Sequence, residues 1–488
     1  MIFYLSKKVN NFGTFALTLI CISAAFNLRN LSLLAQYGIE SLLLYPIAAL
    51  CFLLPCGLAC AELSSGWPNA GGMYIWIREA FGHRVGVLTI WLDCITNLIW
   101  FPMVLSFMVG TLAYLIQPEL TTNKIFMYLS MLSILWLVTF SNFLGINFSI
   151  RLSGLTALIG SLTPCILLII FGSFYFIHYK TQAIANIALQ NNASALGLGH
   201  YSYISGLILS FAGIEAAGLV TYSTKDLKQN YPRAIFFSLC IMILASLLGA
   251  LAMGFVIPPG KINLVSGVMQ VFQQYLAIMH LQWLAPIIVS LTIIGSLSSL
   301  NTWIVSPTRS LMIVASDNQL PPILQYQNKK KSPIVLLFMQ ALVSTLLTSI
   351  FLWMPTVSDS YWLLSILTAQ LTFIMYILLF ASVIRLRKIQ PDTVRPYPIP
   401  GGKQGAYVIC GIGIITCLAA FGIGFIPPEQ LHMTNVKAYE GWLLGGLLIS
   451  LSPVLFFRKK KNFEPLLLPD GVKLLYKSKP RPSGSDES

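Results

Sequence analysis

The sequence predicts an all-α polytopic membrane protein with about twelve transmembrane helices. Three observations predict that class. Of 488 residues, 56% are hydrophobic and only 9% are charged, too little charge to cover a water-soluble chain of this length. The mean hydropathy is +0.77, and apolar runs of about 20 residues, long enough to cross a bilayer as a helix, recur from end to end. Those runs are continuous and do not alternate with period two, which argues against a transmembrane β-barrel.

In order, spans 1 to 12 fall at roughly 12–36, 41–63, 86–116, 123–144, 151–179, 200–222, 232–257, 282–315, 333–353, 358–384, 405–426 and 438–457. Span 1 follows Lys7-Lys8 and runs into Arg29-Asn30 without a small-residue cleavage site, so it reads as a retained helix rather than a secretory leader. Between spans 2 and 3, "SSGWPNAGGMYIWIREAFGHRV" (64–85) is amphipathic and rich in Gly and Pro. It is predicted to form a short interfacial helix beneath the bundle. The other polar connections are "STKDLKQNYPRA" (223–234), "NKKKSP" (328–333) and "RLRKIQPDTVRPYPIPGGKQG" (385–405). From residue 458 the chain turns polar, with eight basic and four acidic residues, a composition expected to be disordered at its end. The expected plan is a cytoplasmic N-terminus (1–11), a core of spans 1–10 (12–384), a loop with spans 11 and 12 (385–457), and a basic cytoplasmic tail (458–488).

The net charge of +14 invites a nucleic-acid reading, but its distribution points elsewhere. With both termini in the cytoplasm, Lys124, Lys180, Lys261 and Lys437 fall outside and Arg29 lies within span 1. Every other Lys and Arg falls on the inner side. This is the positive-inside pattern, and the basic balance reflects topology and contact with anionic lipid. No nucleic-acid partner is expected. All nine cysteines lie in apolar spans and read as buried small hydrophobes. Cys56 and Cys60 share a helix face, but no further Cys or His completes a metal set. No cofactor is expected.

Two spans have interrupted interiors at comparable places: span 1 at "CISAAFNLRN" (21–30) and span 6 at "SFAGIEAAG" (210–218). If spans 1–5 and 6–10 are two halves, these are the first helices of each half. Interrupted spans at corresponding positions mark the binding site of many transporters. A helix unwound at Gly213-Ile214-Glu215 exposes backbone N–H groups suited to a substrate carboxylate. Glu215 then lies beside the site as a candidate proton carrier. The alternative is a packing glycine with a glutamate bonded to a neighbouring helix.

Other polar residues leave two readings open. Arg29 and Asn30, toward the outer end of span 1, either snorkel to the head groups or line the external vestibule and recruit acidic substrates. Asp93 and Asn97 are one turn apart in span 3, either on the pathway or in packing, and Trp100 lies nearby. Glu62, ending span 2, is expected to face the cytoplasmic interface. In span 8, Ser298, Ser299, Asn301 and Thr302 either bond across helices or help hold Na⁺ at an unwound site. Trp303 is either an aromatic gate or a bulky packing residue. None of the five histidines has a partner at metal or catalytic spacing. No Ser-His-Asp order, phosphate loop or paired-carboxylate arrangement supports an enzyme.

Several stretches, taken in order, resemble one known group: "AELSSGWPNAGGMYIWIREAFG" (61–82), "GIEAAG" followed by "NYPRAI" (230–235), "VIPPGKINLVSGVMQVF" (256–272), "TWIVSPTRSLMIVASDNQLPP" (302–322) and "YPIPGGKQGAY" (397–407). Over residues 12 to 460 the chain resembles the amino acid–polyamine–organocation superfamily of transporters, most closely its bacterial glutamate/GABA antiporter branch. The resemblance implies a 5+5 inverted-repeat core with helices 1 and 6 broken at the midplane, plus two peripheral helices. It implies a multi-pass inner-membrane protein exchanging amino acids by alternating access, usually without sodium.

Carried over by position, the resemblance places substrate contacts at Ser23, Ala24, Ala25 and Asn27 of span 1 and at Phe211, Ala212, Gly213 and Ile214 of span 6. Asn97 joins them from its own place deep in span 3, as a residue that either lines the cavity or packs. Gating or coupling falls to Glu215, Trp303, Ser299 and Tyr376. Two departures stand out. The Gly-rich pattern of span 1 is here "SAAFNLRN", and acid-resistance members carry an acidic residue where this chain has Ser299. The tail contains no histidine, so histidine titration within it is not a pH sensor.

Overall fold

The computed structural model describes residues 13–67, 72–143, 146–188, 201–215, 226–316, 322–328, 332–428 and 436–453. Nine helices among the described residues are long and apolar enough to cross a membrane. They correspond to spans 2–5 and 7–11. Span 12 is described as Val436–Leu451. Span 1, one of the two expected to be interrupted, is in two pieces, and span 6, the other, loses its helix before the last residue described. Span 1 is Thr14–Ala25 and Asn30–Ala35 with a four-residue break between them, and span 6 is Tyr203–Leu209 followed by tight turns to Glu215. Residues 216–222 of span 6, the N-terminal segment 1–11 and the tail 458–488 lie outside the described residues.

Local chemistry explains where several spans start and bend. Span 10 (Val357–Ile389) opens on a capping box: Thr356 Oγ1 accepts from the Asp359 N–H at 3.1 Å, and Asp359 Oδ2 accepts from the Thr356 N–H at 3.0 Å. Two donors left over at the helix start are thereby satisfied. Span 2 (Gly38–Gly66) contains Pro46, and a single π-helical turn over Ala49–Leu53 follows it. The wider turn absorbs the perturbation and re-aims the residues it carries.

Span 10 is buried along 83% of its apolar window and span 3 (His83–Ile116) along 72%, so these two run through the middle of the bundle. Spans 4 (Lys124–Phe143) and 11 (Gly402–Ile423) are buried along only 28% and form the rim. Leu137, Ile177, Leu346, Ile415 and Leu448 point outward from different spans, an apolar exterior suited to lipid. Spans 5 (Ile146–His178) and 8 (Ala285–Ser316) meet backbone to backbone: a Cβ on Gly160 would lie 2.3 Å from Gly295 Cα. Small residues let membrane helices approach this closely and gain contact that lipid cannot match.

Two further helices lie outside the spans. The short helix Gly72–Phe81 forms where the amphipathic segment predicted it. A second, Gly267–Ile278 between spans 7 and 8, buries Val268, Val271, Phe272 and Tyr275. It is not among the sequence expectations.

Candidate functional site

The site is built where the two interrupted spans meet. Gly206 of span 6 abuts span 1 so closely that a Cβ there would come within 2.7 Å of Leu33. Past Leu209 the span 6 helix gives way to turns, and Gly213 takes φ +112°, a conformation natural only to glycine. The Gly213 N–H turns toward two acceptors: Glu215 Oε2 at 3.0 Å and Tyr376 Oη at 3.2 Å. Tyr376, from the middle of span 10, donates its hydroxyl to Glu215 Oε2 at 2.6 Å. Gly213, Glu215 and Tyr376 thus close a three-membered network at the break.

Span 2 supports that network from behind. Phe52, carried by the π turn, stands edge-on to Tyr376 with ring centroids 4.9 Å apart. Tyr45 lies 4.6 Å from Phe211, and Phe211 and Ile214 are fully buried. Sequence reasoning missed Phe52 and Tyr45, because apolar residues in an apolar span carry no signal of what they touch.

The other expected site residues sit as follows. Ser23 is half-buried at the end of the first half-helix and donates to the Ile20 carbonyl at 2.9 Å. Ala25 is buried. Ala24 is helical, and its side chain lies outside what is described. Asn27 lies in the break, and its Oδ1 accepts the Arg29 N–H at 3.1 Å. Ala212 is half-buried in the span 6 turns. In span 3, Asn97 Nδ2 donates to the Asp93 carbonyl at 2.7 Å and to Asp93 Oδ1 at 3.2 Å. Trp303 is half-buried and meets Trp100 of span 3 at 6.3 Å in an edge-to-face arrangement. Ser299 is half-buried one turn before it.

Three sequence readings are narrowed or changed. The span 8 hydroxyls follow the first of their two readings, bonding along and across helices, because span 8 is continuous through them with no unwound segment. Ser298 donates to the Ile294 carbonyl and Thr302 to the Ser298 carbonyl, while Asn301 Oδ1 accepts Asn142 Nδ2 at 2.8 Å. These are bonds within and between helices. Arg29 does not snorkel: it is 5% exposed, with its guanidinium over the rings of Trp100 and Tyr361 at 5.5 and 5.7 Å. Glu62 does not face water either. It is 1% exposed, and Arg387 grips it with Nε at 2.7 Å and Nη2 at 2.5 Å. Arg395 Nε lies 3.4 Å from it, and the Ile399 N–H donates to it at 2.8 Å. Burial holds Arg395 below the usual arginine range, with Glu62 pulling the other way.

Among the described residues, no cluster of His, Cys, Asp or Glu has the grouping to hold a metal ion. Chemically the centre presents an opened backbone at Gly213, the carboxyl of Glu215 and the phenol of Tyr376.

The amino acid permease family model matches residues 12–448. An uncharacterised transporter of Legionella pneumophila is 37% identical over 457 residues, covering 94% of this chain and 98% of that protein. A glutamate/gamma-aminobutyrate antiporter of Lactococcus lactis is 27% identical over 450 residues, 90% of this chain and 88% of its own. A probable agmatine/putrescine antiporter of the same species is 23% identical over 452 residues, 90% and 94% of the two chains. With its helical bundle, its two interrupted spans and a family match running through nearly all of them, the chain belongs to the amino acid permease family: a multi-pass membrane transporter, not an enzyme.

Proposed function

We propose that this transporter exchanges amino acids across the bacterial inner membrane by alternating access, in the manner of a glutamate/GABA antiporter. The observation that carries the reading is the network of Gly213, Glu215 and Tyr376 at the break of span 6, set against the break of span 1. Its key property is competition. The Gly213 N–H, the donor a substrate α-carboxylate would seek, is held by Glu215 and Tyr376. Protonation of Glu215 weakens that hold and frees the donor for substrate. Proton and substrate occupancy are then coupled through one backbone N–H. The opened backbone and the hydroxyl of Ser23 receive the amino group, and Trp303 against Trp100 covers the site.

On this reading residues 12–384 are the transport core, and residues 385–457 and 458–488 are peripheral. Both termini are cytoplasmic, which the one-sided distribution of Lys and Arg supports. A sodium-coupled importer is less well supported, because span 8 is a continuous helix through its hydroxyls and offers no opened backbone carbonyls to complete an oxygen shell. Counterflow in proteoliposomes tests the reading. Labelled glutamate, GABA and neutral amino acids are expected to enter only vesicles preloaded with an exchange partner, with or without Na⁺. Accumulation in unloaded vesicles driven by an imposed Na⁺ gradient would overturn it.

A further inference from the structure

We propose that Arg29 is a substrate-binding, specificity-determining residue that receives a second carboxylate on the transported amino acid. The inference rests on the transport reading above and adds to it the chemistry of the side chain that the site accepts.

The guanidinium sits in the break of span 1, the first residue outside the half-helix Asn30–Ala35. It is 5% exposed, yet Nε and Nη1 have no hydrogen-bond partner. Its one side-chain bond is a long contact from Nη2 to Asn30 Oδ1 at 3.5 Å. Among the described residues no carboxylate lies within 4.0 Å of it. An arginine carries five N–H donors in a planar fork that matches a carboxylate. Burying that fork without an anion is costly, and membrane proteins retain such charges where they serve a pathway.

The surroundings hold the fork without neutralising it. Trp100 and Tyr361 present ring faces to the guanidinium, which fixes its plane by cation–π attraction and leaves its N–H edges unused. Trp100 also touches Trp303, so Arg29 packs against one member of the aromatic pair assigned above to cover the site. Along span 3, Trp100 lies one turn outward of Asn97 and about 10 Å outward of Asp93 at the helical rise of 1.5 Å per residue. The cation therefore sits on the outer side of the centre, with the Asp93–Asn97 pair further in. A substrate with its α-carboxylate at the span 6 break and a second carboxylate toward Arg29 satisfies both ends. A neutral side chain leaves the cation unpaired.

The test uses the full-length protein in detergent and in proteoliposomes. Trp100 and Trp303 report on the site, so intrinsic tryptophan emission is titrated with L-glutamate, L-aspartate, L-glutamine and L-asparagine. The acidic pair is expected to change emission saturably at concentrations well below those needed for the amides. In R29Q, checked for a single symmetric peak on size exclusion, half-saturation by glutamate is expected to rise on the order of ten- to a hundred-fold, the usual worth of a charge-assisted hydrogen bond. That for glutamine should hold or fall. R29K, which keeps the charge but loses the fork, should lie between. Equal shifts for glutamate and glutamine in R29Q would make Arg29 a gate or a packing residue and overturn the proposal, as would wild-type protein that binds the amides as tightly as the acids. Acid-selective binding without exchange in vesicles would sustain the role of Arg29 while removing the antiport reading.

Discussion

Glu62 and Arg29 are both ionisable groups buried in the same bundle, and their surroundings treat them in opposite ways. Glu62, near the C-terminal end of span 2, is met by a two-point contact from Arg387, by Arg395 and by the Ile399 N–H. Arg395 is itself seated on the Trp67 ring and donates to the carbonyls of Leu386 and Gln390. Arg29, in the break of span 1, has two aromatic faces and one long contact to its neighbour. A buried charge whose partners are complete ties segments together. One whose partners are incomplete in the protein alone is set up for something that arrives. Burial marks both, and only the inventory of partners tells them apart.

The comparison predicts its largest effect at Glu62. Glu62→Gln leaves Arg387 and Arg395 without their anion and is expected to cost about 3–5 kcal/mol, the usual result of breaking one side of a buried pair. The midpoint of thermal unfolding in detergent should fall accordingly, with transport lost through lost protein. Combining Glu62→Gln with Arg387→Met removes one orphaned cation, so the double variant should be more stable than Glu62→Gln alone. Strict additivity of the two losses would mean that the pair is not coupled.

Effects of intermediate size belong to the span 6 network and should appear in transport rather than in folding. Tyr376→Phe removes the donor to Glu215 and is expected to lower exchange on the order of ten- to a hundred-fold, the worth of a hydrogen bond to a charged group. Glu215→Gln mimics the protonated acid permanently. Exchange by that variant should lose the pH dependence that wild type shows, holding the value that wild type approaches as pH falls. A wild-type pH profile in Glu215→Gln at normal expression would remove the proton from the mechanism.

The sequence made much of this architecture legible, and the reason lies in the solvent. Lipid imposes long apolar spans, so departures such as "SAAFNLRN" and "SFAGIEAAG" stand out and mark the breaks in spans 1 and 6. Gly213 and Glu215 were readable for the same reason. Tyr376 was legible only by resemblance, because its partner is 161 residues away and no spacing announces the pair. The grip of Arg387 on Glu62 spans 325 residues, so Glu62 read as an interfacial residue. Arg29 left two readings open, snorkelling or lining the vestibule, because a lone arginine near a span end can do either. The rings of Trp100 and Tyr361, which hold it inside, come from distant spans. The π turn that carries Phe52 has no sequence signature beyond a nearby proline.

The smallest effect is the sharpest test of the contrast. Arg29→Met replaces the guanidinium with an unbranched apolar side chain that can pack between Trp100 and Tyr361. The wild-type arginine bears the desolvation of a buried cation, offset by two ring contacts worth about 0.5–2 kcal/mol each. Exchanging buried ionic groups for well-packed apolar ones is often neutral or stabilising. Unfolding in detergent, followed without substrate, should therefore be unchanged or shifted upward by about 1 kcal/mol. Saturating glutamate should then stabilise wild type and not the variant, because ligand binding to the native state adds to its stability only where the site survives. A loss as large as that of Glu62→Gln would place Arg29 among the charges that hold the bundle together, and the distinction between the two sites would collapse.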